Sequence, residues 1–141
     1  FTLILPVDSV NFYSQQITES RYIVNSTVVQ IYPTEKIFIE TEVDSIMIVS
    51  MKTVKENVNP EKTVVLDFYQ TIEDKINKGT TLKVTNPFNM KLSYQASMYI
   101  VGGTTWESTT IMPIEPNLVG YETWNDVVIS VVLNGWKLEV K

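Results

Sequence analysis

Apolar and polar residues alternate with period two along much of the chain, the spacing that puts every second side chain on one face of a β-strand. The run Leu92 to Val101 is the clearest case. Leu92, Tyr94, Ala96, Met98 and Ile100 share one face, and Ser93, Gln95, Ser97 and Tyr99 the other. It predicts a strand with one buried side. Lys36 to Val43 reads alike, with Ile37, Ile39, Thr41 and Val43 opposite Glu40 and Glu42, and Phe38 interrupting the polar face. Tyr22 to Tyr32, Ile46 to Val54, Thr63 to Tyr69 and Thr80 to Thr85 are further β-branched or aromatic runs that predict strands. Helical periodicity is nearly absent, and Thr71 to Lys78, ending at Gly79, is the one segment that suits a short helix.

Turn chemistry separates these runs. Val127 to Leu133, then Asn134-Gly135, then Trp136 to Val140 predict a C-terminal hairpin, because Asn and Gly both tolerate the positive φ of a type I′ turn. Pairing Leu133 with Trp136 sets Val131 opposite Leu138 and Ile129 opposite Val140, with Lys137 and Glu139 on the other face. Gly102-Gly103 predicts a second hairpin in which Tyr99 faces Trp106 and Met98 faces Glu107, with a longer Val-Gly-Gly-Thr loop or a bulge as the alternative. Asn57 to Glu61, Asn86-Pro87 and Pro113 to Asp126 read as connections. Roughly eight to ten short strands, punctuated about every 8 to 12 residues, point to an all-β fold of two packed antiparallel sheets, an immunoglobulin-like β-sandwich. A small closed β-barrel is the alternative. No repeat, linker or low-complexity tract interrupts residues 1–141, which read as a single β-sandwich domain.

Composition then narrows function by exclusion. The chain has neither Cys nor His. That removes disulfides, thiolate nucleophiles, Ser-His-Asp and Cys-His arrangements, and metal sites built on either ligand. With 11 Lys plus Arg against 16 Asp plus Glu, the net charge of −5 opposes nucleic acid and anionic membrane surfaces. The single arginine, Arg21, cannot make a phosphate clamp. No apolar run approaches the roughly 20 residues of a membrane span. Neither Gly-x-x-x-x-Gly-Lys nor Gly-x-Gly-x-x-Gly occurs, and no cofactor is expected. Low Ala with abundant Thr, Asn, Val and Ile suggests an exported bacterial domain, periplasmic or extracellular. The chain opens on Phe1 and so reads as a fragment or processed product, with any export signal upstream.

What chemistry remains sits on aromatic and acidic side chains. Trp106, Tyr121 and Trp124 are the candidate ligand-binding residues, since exposed aromatics could form a platform on which sugars stack. Burial as core, or as a plug pinning the Pro113 to Asp126 loop, is the competing reading of these tryptophans and the favoured one. Trp136, on the apolar face of the predicted hairpin, reads as core. Glu40, Glu42 and Asp44 alternate and could offer oxygens to calcium, but a solvated strand that resists edge-to-edge pairing is the preferred account. Asn25-Ser26-Thr27 matches a glycosylation acceptor inside a predicted strand. Thr85-Asn86-Pro87-Phe88 followed by Leu92-x-Tyr94-x-Ala96 resembles the strand-turn-strand wording of many immunoglobulin-like bacterial envelope modules, which defines no one family and carries over no site. The leading expectation is a non-catalytic exported module with a protein partner, using edge strands and the Pro113 to Asp126 loop. A carbohydrate-binding module is the alternative. A carboxylate-dependent enzyme ranks third, because with this many acids some pair at glycosidase spacing is nearly inevitable.

Overall fold

The computed structural model describes residues 1–17 and 22–140; Arg21 lies outside them. Among the described residues the chain forms twelve strands and one 3-10 turn, Pro60–Lys62. Sheet I runs in the order β10 (Glu107–Thr109), β9 (Lys91–Ile100), β12 (Val128–Glu139), β4 (Val28–Ile31) and β3 (Ile23–Asn25). Sheet II runs β11 (Val119–Trp124), β8 (Ile76–Thr85), β7 (Thr63–Glu73), β5 (Glu35–Asp44) and β6 (Met47–Val54). β1 (Thr2–Pro6) and β2 (Phe12–Gln16) make a separate hairpin. All of these ladders are antiparallel.

The period-two pattern explains how the large sheets meet. Val29, Ile31, Leu92, Tyr94, Ala96, Met98, Val131 and Leu133 project from sheet I onto Ile37, Ile39, Val64, Leu66, Phe68, Leu82 and Val84 of sheet II, and all are buried. Each sheet ends in unpaired edges, β10 and β3 or β11 and β6, so the architecture is a sandwich and not a closed barrel. Leu92 to Ile100 keeps the predicted face, and Glu107 lies opposite Met98 as the Gly102-Gly103 register requires. The loop is wider than a Gly-Gly turn. The Gly103 amide donates to the Ile100 carbonyl at 3.0 Å, and Gly102 takes φ +86°, making Val101-Gly102 the centre of the turn.

Several expectations are corrected. Asn134-Gly135 does not reverse the chain: β12 runs straight through it and stays paired with β9 from Val128 to Glu139. The register slips by one between Asn134 and Lys137, and Gly135 sits at φ +61°. The left-handed glycine therefore forms a G1-type bulge, which uses the same conformational freedom as a hairpin turn. Thr71 to Lys78 is not helical. It is the outer part of the β7–β8 hairpin, closed by Asp74 and Lys75 at φ +51° and +65°, the signature of a type I′ turn. Tyr22 to Tyr32 is two strands, β3 and β4, with Ser26 at φ +49° between them. Pro113 to Asp126 contains β11 in addition to loop.

A second, smaller core stands outside the main one. In β12 the pairing moves from Val128 with Ile100 to Ser130 with Tyr99, leaving Ile129 as an extra residue. The bulge turns Val128 into the sandwich while Ile129 faces outward. There Ile129 and Val127 bury Leu3, Leu5 and Ile17, fastening the β1–β2 hairpin to sheet I. A polar tie reaches the other sheet, because Gln70 Nε2 donates to the Pro6 carbonyl at 2.7 Å and to Asn77 Oδ1 at 2.9 Å.

Candidate functional site

The docked hairpin creates a cleft of about 340 Å³ against the outer face of sheet I. Outward positions on three neighbouring strands make its floor. Ser130 of β12 lies between Tyr99 of β9 and Tyr32, which follows the Ile31–Val131 pair at the end of β4. The small side chain between two tyrosines leaves a recess. Leu3 and Leu5 face the second core from β1, so their register partners Gln15 and Tyr13 on β2 face the same side and wall the cleft. Trp106, in the loop after β9, closes the opposite side with its ring 5.5 Å from that of Tyr99 and inclined by 66°.

The floor is a preset polar network. Gln30 Nε2 donates to Ser130 Oγ at 3.1 Å and to Tyr32 Oη at 3.3 Å, and the Ser130 hydroxyl donates to the Ile31 carbonyl at 3.1 Å. Tyr13 donates its hydroxyl proton to Gln15 Oε1. Burial, and then the nearby Glu35 carboxylate, push the Tyr32 phenol above its ordinary range, so it stays protonated at neutral pH. No charged side chain lines the cleft.

Of the three aromatics singled out in the sequence, only Trp106 belongs here. Tyr121 projects from the outer face of sheet II, with Lys83 Nζ 5.9 Å from its ring centroid. Trp124 lies on the opposite side of β11, packs on the main core, and donates its indole N–H to Thr109 Oγ1 at 3.0 Å. It bridges the β11 and β10 edges, which is the plug role. Trp136 also packs on the main core, its ring 5.0 Å from that of Tyr94. Tyr13, Gln15, Gln30, Tyr32 and Ser130 were not singled out from the sequence. Ser130 alone carried a signal, as a hydroxyl inside an otherwise apolar run that must find partners when buried.

Of the acidic triplet, Glu42 and Asp44 are exposed, as a solvated strand requires, but Glu40 is buried, and its carboxylate is met by an amide and by cations. Glu40 accepts from Asn59 Nδ2 at 3.1 Å, and Lys62 reaches both Glu42 at 2.9 Å and Glu40 at 3.8 Å. The Asn59 hydrogen bond, aided by Lys52 and Lys62, holds the Glu40 carboxyl below its usual range. Asn25 and Ser26 of the acceptor triplet are exposed at the β3–β4 turn, while the Thr27 carbonyl accepts the Trp136 indole proton at 2.8 Å. The cleft itself is lined by no carboxylate among the described residues, and two other surface clefts carry one each, Asp67 and Asp8. No helix among the described residues is long and apolar enough to cross a membrane. The sequence matches no protein family, no curated protein and no solved structure.

Proposed function

We propose that the chain is an exported, non-catalytic binding module that acts through protein contacts. The observation carrying this reading is the outward face of the β1–β2 hairpin. Ile4, Phe12 and Val10 stand 55%, 65% and 81% exposed around a groove that Pro6 and Lys75 complete. Phe12 pairs with Pro6, and Ile4 with Ser14, so Ile4 and Phe12 are diagonal neighbours on that face. Single exposed apolar residues are ordinary, whereas large ones gathered on one small element mark contact surfaces. The exported setting rests on composition alone.

A photo-crosslinking residue at Phe12 or Val10, with Thr53 on the β6 edge as control, tests the reading in extracts of the source cells. The expected result is one shared partner from positions 12 and 10, whose purified form binds at least about tenfold more weakly to Phe12→Ser. Equal adducts from all three positions, or none, would overturn it. Sedimentation identifies the case in which the partner is a second copy. Recovery of the chain in the cytosolic fraction would remove the exported setting.

A further inference from the structure

We infer that the cleft on the inner side of the same hairpin binds a neutral saccharide, with one ring seated against Trp106 and Tyr99 over the Ser130 floor. Three observations select this class of ligand. First, the volume of about 340 Å³ falls within the roughly 300–1,000 Å³ of small-ligand pockets, and half of the lining residues are aromatic. Trp106 is 45% exposed and its indole N–H has no partner within the described chain, so an apolar ring face and a donor are both presented to solvent. Second, the remaining groups are amides and hydroxyls. Gln15 has an amide N–H₂ to offer beyond the hydrogen bond from Tyr13. A polyol supplies apolar C–H faces to the rings and hydroxyls to these groups at once.

Third, charge excludes the competitors. An anionic ligand finds no cation in the cleft and meets a chain of net charge −5. A quaternary ammonium suits aromatic faces, but it cannot hydrogen-bond and would cover the Gln15 amide without replacing the water that serves it. The inclination of 66° between Tyr99 and Trp106 makes a corner, not a flat platform. A corner takes the end of a chain or a single ring more readily than the side of a long polymer.

The test uses the intact chain and intrinsic tryptophan fluorescence, titrated with neutral mono- and oligosaccharides, with uronic acid oligomers and with tetramethylammonium. A saturable response to at least one neutral sugar below about 10 mM is expected. Trp106→Ala should weaken it at least about tenfold by calorimetry, and Gln15→Leu should weaken it as well, while Tyr121→Ala on the opposite sheet leaves it unchanged. Circular dichroism keeps a folding defect apart from a lost contact. No saturable response to any neutral sugar, a response to tetramethylammonium or uronates alone, or binding that survives Trp106→Ala would overturn the inference.

Discussion

Asn86 should be the most costly polar side chain to remove from this protein. It is buried, and its amide nitrogen donates to the carbonyls of Met90, Ile114 and Glu115 at 2.9, 3.0 and 3.1 Å, while Oδ1 accepts the Phe88 amide at 2.9 Å. One side chain thus joins the β8–β9 connection to the segment entering β11. At about 0.5–1.5 kcal/mol net for each neutral hydrogen bond, and more where a buried partner is left unpaired, Asn86→Ala should cost about 2–5 kcal/mol. With a urea slope near 2 kcal/mol/M, a loss of about 3 kcal/mol lowers the unfolding midpoint by roughly 1.5 M with the slope unchanged. Asn86→Asp separates hydrogen bonding from volume. It keeps the acceptor for Phe88 and turns a carboxylate toward three carbonyls, which raises its folded-state pKa above the unfolded value. Its deficit should therefore grow as pH rises through that window and shrink in acid, a slope that Asn86→Ala lacks. A deficit below about 1 kcal/mol for Asn86→Ala would refute the reasoning, by showing that water replaces the amide at no cost.

Three other perturbations test the strand irregularities and a half-buried acid. Gly135→Ala forces a side chain to φ +61° and against Gln95 at 3.1 Å, and should cost about 1–2 kcal/mol in thermal unfolding; a neutral result would contradict the bulge. Ile129→Ala removes the outward knob of the small core and should cost about 2–5 kcal/mol. Hydrogen exchange should then show β1 and β2 losing protection while β7, β8 and β9 keep it. Burial lifts the Glu122 carboxyl above its ordinary range, against a weaker opposing hydrogen bond from the Met112 amide. The folded state thus holds its proton to higher pH than the unfolded chain, and this group's contribution falls as pH rises from the usual glutamate range toward the folded value. Glu122→Gln should flatten that slope and raise stability at neutral pH, measured by denaturant unfolding from pH 4 to about 8.

How much was legible in the sequence depends on what each residue pattern can distinguish. Leu92 to Ile100 was readable because the strand is straight and half-buried, so period two persists over its whole length. Asn134-Gly135 was misleading for a definite reason. A hairpin turn and a one-residue bulge both shift the parity of the apolar positions, here from Val131 and Leu133 to Leu138, and both use a left-handed glycine. Only a neighbouring strand long enough to pair with both halves decides between them, and β9 is that strand. Ile72 and Ile76 sit four apart, a helical spacing, yet they flank the Asp74–Lys75 turn because the β7–β8 ladder continues outward from Phe68 and Leu82. Local propensity yields to pairing already fixed by the core. Of the cleft only the Tyr99–Trp106 corner was legible, from the Gly102-Gly103 register, since the rest draws on β2, β4 and β12, which become neighbours of β9 only through long-range pairing.

The bulge at Ile129 links the two proposed activities physically. Were β12 to pair without it, alternation back from Val131 would turn Ile129 into the main core and Val128 outward, whereas the extra residue sets Ile129 beside Ser130 on the outer face and keeps Val128 and Val131 both inward. With it, one strand serves two cores on opposite sides of sheet I, and the hairpin held by the smaller core gains two usable faces. Leu3 and Leu5 hold it down, and their partners Gln15 and Tyr13 wall the cleft, while Ile4 and Phe12 point away. A ligand in the cleft touches Tyr13 and Gln15 directly. It therefore restrains the element that carries the outward apolar patch, a two-stranded ribbon that is marginal without such support. Because binding to the folded state alone stabilises it by mass action, a saccharide that occupies the cleft should slow hydrogen exchange in β1 and β2 more than in β7 and β8. Uniform slowing would separate the two surfaces and leave the hairpin a passive wall.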